Sequence, residues 1–253
     1  MLSVLIFDSS SKIAKFITKS LVQKGYQVSS VIRRKEHIPS LSELGATPIL
    51  QSIESASVSE LASTIRTSAP DIVIFAARAG LRAFEDPNLS LVVDRDAAIR
   101  VFDAMVEAGG TKRLITISTM DARNREKAAP SWYNEVDWKG SDELWGMLPV
   151  YMKAKYEADK DLVEGNGKRR LEYTIVRSTW YGDGERMGKI RAGLAGFEPR
   201  ISREDVADVL VACVENPATV GCVFEISSGE VPIQDAVKKV AEEKVDSFGE
   251  VFR

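Results

Sequence analysis

Leu2-Ser3-Val4-Leu5-Ile6-Phe7-Asp8-Ser9-Ser10-Ser11, then Lys12-Ile13-Ala14-Lys15-Phe16-Ile17 and, after Gly25, Gln27-Val28-Ser29-Ser30-Val31-Ile32-Arg33-Arg34, is the stretch that decides the fold. Leu2–Phe7 is an apolar run of strand length, and Asp8 to Ser11 is a polar break. Apolar residues from Ile13 to Val22 recur at helical spacing, Gly25 closes that helix, and Gln27–Ile32 reads as a second strand. Strand, turn, helix, strand predicts the first unit of a doubly wound parallel sheet. No glycine precedes Gly25, and two arginines end the second strand. Both facts bear on what the turn can hold.

The same alternation continues outward. Strands are expected at Thr47–Leu50, Ile72–Ala76, Leu114–Ile117, Tyr173–Val176 and Val223–Ile226, and helices at Lys12–Lys24, Val58–Ser68, Val93–Ala108, Val150–Glu164, Arg203–Asn216 and Ile233–Lys244. Continuous apolar strands such as Ile72-Val73-Ile74-Phe75 imply burial on both sheet faces. The expected fold class is α/β, a doubly wound, Rossmann-like parallel sheet forming a single domain over residues 1–253. A small substrate-lid region interrupts it twice. Residues 123–149 form the longest irregular stretch, and residues 180–199 carry several glycines and read as a second mobile loop.

A net charge of -3 argues against a nucleic-acid surface. No apolar run is long enough to span a membrane, and Asp8 interrupts the only signal-like start. Cys213 and Cys222 lie in apolar stretches and read as buried thiols of a reducing compartment, so a cytoplasmic location is expected. His37 is the only histidine, and no cluster suggests a metal centre or a hydrolase triad. A homodimer is an open expectation.

The order of elements, with Leu114-Ile115-Thr116-Ile117-Ser118-Thr119 ending in hydroxyls and Tyr151-Met152-Lys153-Ala154-Lys155 opening a helix, resembles the atypical short-chain dehydrogenase/reductase superfamily. Within it, Val93-Asp94-Arg95-Asp96-Ala97-Ala98, Tyr173-Thr174-Ile175-Val176-Arg177 and Ile201-Ser202-Arg203-Glu204-Asp205-Val206 are similar to the NmrA-like NAD(P)-binding proteins of fungi. The resemblance covers nearly the whole chain. It implies that glycines belong at positions 8, 11 and 14, where Asp8, Ser11 and Ala14 stand. Those glycines allow a tight turn, backbone approach to a pyrophosphate and close helix packing. A carboxylate at position 8 would repel a diphosphate by on the order of a few kcal/mol at an effective dielectric near 20. Two further loops depart from the pattern, at Ala77-Arg78-Ala79-Gly80-Leu81-Arg82 and at Ser178-Thr179-Trp180-Tyr181. Trp180 would place bulk where the nicotinamide belongs.

The resemblance also implies roles for residues that match. Arg33 and Arg34 stand where a 2'-phosphate is read. Tyr151 and Lys155 keep the Tyr-x-x-x-Lys spacing of a proton donor tuned by an ammonium, and Ser118 and Thr119 lie where a hydroxyl holds the substrate oxygen. The aromatic residues Trp132, Tyr133, Trp138, Trp145, Trp180 and Tyr181 all fall in the two lids, suggesting an apolar pocket for a hydrophobic small-molecule substrate. Three functions follow. The first is a cofactor-independent cyclase, isomerase or pericyclase of specialised metabolism, with Tyr151, Lys155, Asp8, Ser118 and Thr119 catalytic and no cofactor used. The alternative is an NADP(H)-dependent reductase of a carbonyl or imine, with Ser11, Arg33, Arg34 and Arg78 on the nucleotide. The third is a non-catalytic sensor or scaffold.

Overall fold

The computed structural model describes residues 2–7 and 10–252. The first half of the chain runs β1 (Ser3–Phe7), α1 (Lys12–Gln23), β2 (Gln27–Ile32), α2 (Ile38–Glu43), β3 (Thr47–Leu50), α3 (Val58–Ser68), β4 (Ile72–Phe75), α4 (Arg82–Glu85), α5 (Ala97–Ala108) and β5 (Arg113–Thr119). The second half adds α6 (Glu135–Met147), α7 (Pro149–Arg169), β6 (Glu172–Ser178), β7 (Tyr181–Gly182), β8 (Lys189–Gly193), β9 (Ile201–Ser202), α8 (Arg203–Glu215), β10 (Val223–Ser228), β11 (Val231–Pro232), α9 (Ile233–Glu243) and α10 (Ser247–Phe252).

Nine strands form one sheet in the order β11-β8-β10-β6-β5-β4-β1-β2-β3. From β3 to β10 every neighbouring pair is parallel, while β8 and β11 join antiparallel at one edge. The expected all-parallel sheet is therefore mostly parallel. Of those two, β8 comes from residues 180–199, which hold β7 and β8 rather than only loop, and β11 is Val231–Pro232; β7 pairs with β9 in a separate two-stranded sheet.

The residues explain the elements. Each residue of β4 is buried, as a strand covered on both faces must be. Helix α1 turns Ile13, Ala14, Ile17 and Leu21 onto the sheet, where they join α8 and α9 in one core layer. Helices α3, α5 and α7 cover the other face around Leu61, Val101, Phe102 and Leu162. Both outer strands carry a proline, Pro48 in β3 and Pro232 in β11.

The short helices α2, α4 and α10 add to the expected set, and two longer stretches differ from expectation. The helix expected to begin at Val93 starts with a π-helical turn over Leu91–Asp96 before α5. The stretch expected to be irregular contains α6, opened by a capping box between Asn134 and Asp137. Of its buried residues Asp137, Ser141 and Leu144, two are polar, so it shows no apolar stripe in sequence.

Strand order reverses between β1 and β4, whose connections leave in opposite directions. That switch point, at the carboxyl ends of the strands, is where open α/β sheets bind ligands.

Candidate functional site

A cavity of about 450 Å³ lies at the switch point. Its walls come from the segments after β1 (Ser10, Ser11, Lys12), after β2 (Arg33, Arg34), after β3 (Ile53, Glu54) and after β4 (Arg78 to Arg82), with Ile117, Tyr181 and Arg203 beyond. Lys12, Arg33, Arg34, Arg78, Arg82 and Arg203 all line it, with Glu54 the one carboxylate among the described lining residues, while Lys12 and Arg203 also pair with Asp183 at 2.6 and 2.5 Å. A chain of net charge -3 thus concentrates positive potential in one groove.

Ser11 caps α1, its Oγ accepting from the Ala14 amide at 3.2 Å, so the side chain substituted for glycine closes its own helix end. Asp8 lies outside the described residues, and with it the proposed carboxylate in the turn. Arg33 donates to Glu54 Oε1 at 2.6 Å. Arg34 is exposed and makes no ion pair among the described residues. The guanidinium of Arg78 sits 5.7 Å from the ring of Tyr151 and 5.1 Å from that of Tyr181, within cation–π range of both. Arg78 therefore stands between the cavity and Tyr151, which is half-buried in the first turn of α7.

Lys155, one turn further along α7, is buried. Its ammonium lies 3.1 Å from Asp94 Oδ1 and donates to the carbonyls of Ile117 at 3.3 Å and Ala77 at 3.5 Å. Asp94 also accepts from the Ala79 amide at 3.1 Å. The buried pair thus ties the π-helical turn to the strand-end loop that carries Arg78. No signal in the sequence separated Asp94 from other helix-borne carboxylates.

Ser118 and Thr119 diverge because successive residues of a strand face opposite sides. Ser118 Oγ donates to Asp159 Oδ2 at 2.7 Å, beside Arg177, which donates to the same oxygen at 3.1 and 3.2 Å. Burial raises the Asp159 carboxyl above its ordinary range, and the Arg177 charge opposes that shift. Ser118 is thereby engaged in a core network and does not line the cavity. Thr119 is buried at the carboxyl end of β5.

The lid aromatics pack mainly on one another. Tyr133 makes edge contacts with Trp132 at 6.1 Å and Phe197 at 5.8 Å, and Trp145, Trp180, Leu148 and Tyr151 surround that cluster. Of the six expected roof residues only Tyr181 lines the cavity, and Trp138 is 48% exposed. Burial, and secondarily the Asp121 carboxylate, pushes the Tyr133 phenol well above its ordinary value. Asp121 holds φ at +60°, a strained conformation for a residue with a side chain. Arg123 (2.6 Å), Ser141 (2.5 Å) and Trp145 (3.0 Å) donate to its carboxylate, so it fastens α6 to the end of β5. Asp137 of α6 accepts from the Phe197 amide at 2.7 Å, joining the first lid to the second. Among the described residues no cluster could hold a metal ion, and no helix is long and apolar enough to cross a membrane.

A model of an NAD(P)H-binding family matches residues 9–217. The uncharacterized sugar epimerase YhfK of Bacillus subtilis is 31% identical, covering 85% of this chain and 88% of that protein. A UPF0659 protein of Schizosaccharomyces pombe is 29% identical over 92% of both chains. The structure of the oxidoreductase ylbE from Lactococcus lactis superposes with a TM-score of 0.78 at 23% identity, covering 95% of this chain and 97% of that one, which shows the shared fold. These findings do not support the expectation that no cofactor is used. That expectation set Asp8 and the missing glycines against Arg33 and Arg34, and the structure adds Lys12, Arg82 and Arg203 to the groove lining. With the match spanning most of its length, this chain belongs to the NAD(P)H-binding family of Rossmann-like proteins.

Proposed function

We propose that this protein is an NADP(H)-dependent oxidoreductase that reduces a carbonyl or imine of a hydrophobic small molecule. The observation that carries this reading is the cationic lining of the switch-point groove. Phosphates suit such a groove on two counts: helix α1 presents its amino-terminal end there, and guanidinium groups from several walls supply charge-assisted donors. Arg33 and Arg34 would hold the 2'-phosphate, and Ser11, Lys12 and Arg78 the diphosphate. The cofactor, when bound, supplies a hydride. The Tyr151 phenol gives its proton to the substrate oxygen or nitrogen and recovers one from water. Lys155, held by Asp94, fixes α7 against the strand ends. The aromatic cluster around Tyr151 lies beyond the cationic groove and would give the substrate an apolar wall there.

Isothermal titration with NADPH and NADH tests this. Micromolar NADPH binding, at least tenfold tighter than NADH, is expected. Binding of neither nucleotide would overturn the proposal and leave cofactor-free cyclisation or isomerisation, whose motive is Asp8, as the surviving reading.

A further inference from the structure

Arg33 and Arg82 come from opposite sides of β1 in the sheet, one following β2 and the other opening α4 after β4. Both guanidinium groups nevertheless end on one atom, Glu54 Oε1, at 2.6 Å each. Glu54 itself follows β3, and all three residues line the groove. Two cations that converge on a single oxygen from two walls are spaced to hold one anion between them.

We infer that Arg82 faces Arg33 across the cofactor's 2'-phosphate, adding a second wall to the seat that Arg33 and Arg34 form, and that Glu54 is the phosphate's internal stand-in. The inference rests on the function proposed above and names its phosphate contact. Charge supports it: two guanidinium groups against one carboxylate leave one positive charge uncompensated. A phosphate monoester brings about -1.5 to -2 charge at neutral pH and three acceptor oxygens. It accepts from both planar forks at once, which a shared carboxylate oxygen cannot do as well. Their side chains are 32% and 37% exposed, so an incoming phosphate reaches both without opening the core. Glu54 competes with the phosphate for the same donors and repels it once displaced. It is therefore a positioning residue that keeps the two arginines facing each other at the expense of affinity.

Dissociation constants for NADPH, NADH and adenosine 2',5'-bisphosphate test the inference in the wild type, Arg82→Gln and Glu54→Gln. Arg82→Gln is expected to weaken NADPH and the bisphosphate at least tenfold and NADH less than twofold, the NADH arm also reporting intact folding. Glu54→Gln is expected to tighten both 2'-phosphorylated ligands severalfold and leave NADH unchanged. Equal losses for NADPH and NADH in Arg82→Gln, or no loss in either, would overturn the seat. If the wild type binds the bisphosphate through Arg82 but neither dinucleotide, the seat stands and the cofactor reading falls. If it binds none of the three, both fall.

Discussion

Replacing Asp94 by asparagine removes one charge and almost no volume. The partner ammonium of Lys155 lies 3.1 Å away, and the two side chains are 0% and 5% exposed. Coulomb's law at an effective dielectric near 20 gives about 5 kcal/mol of attraction at that separation. The two carbonyls that remain to Lys155 are at 3.3 and 3.5 Å, long for charge-assisted bonds, so they replace little of it. Stranding one buried charge of a pair typically costs about 3–5 kcal/mol. The amide side chain introduced by Asp94→Asn would keep an oxygen for the Ala79 N–H, so the loss is assigned to the charge rather than to that hydrogen bond. For a domain of this size the expected drop in Tm is about 6–20 °C, read by circular dichroism and checked by urea unfolding. The double variant Asp94→Asn/Lys155→Met should recover much of the loss, because no uncompensated charge remains. A single-variant cost under about 1 kcal/mol, or a double variant no better than the single, would refute this account of the pair.

Tyr151→Phe should lower turnover about 10²–10⁴-fold while NADPH affinity in titration changes little; unaltered turnover would remove Tyr151 from proton transfer. Glu225, buried beside Arg177 at 3.6 Å, has its carboxyl raised by burial from 4.5 to about 7. Folding thus favours the protonated form, whose contribution is full below the ordinary value and lost as pH rises through the raised one. Urea midpoints of the wild type should fall from about pH 5 to about pH 8, and Glu225→Gln should flatten that slope. Identical slopes in the two proteins would refute the assignment.

The sheet was legible in sequence wherever burial leaves a periodic trace. Strands such as β4 are apolar at every position, and α1 and α3 carry both a cap and an apolar stripe. Helix α6 was hidden because Asp137 and Ser141, not aliphatic residues, fill its buried face. Strand β11 is only two residues long, and β8 sets Ile190 between two exposed residues and takes its partners from distant segments. The site divides similarly. Residues tied to a local motif, Ser11, Arg33, Tyr151 and Lys155, were named from spacing and resemblance. Glu54, Arg82 and Asp94 were not, because their meaning lies in contacts 21, 28 and 61 residues away in the chain. Side-chain direction decided the rest: Ile117 faces the groove, and its neighbour Ser118 faces Asp159.

The prolines in β3 and β11 have a consequence for crowded solutions. A peripheral strand ordinarily offers a ladder of unmet amides on which another chain can zip. Here each margin of the sheet lacks one of those donors, and β11 is only two residues long. Growth into ribbons by lateral addition is thereby blunted at both borders.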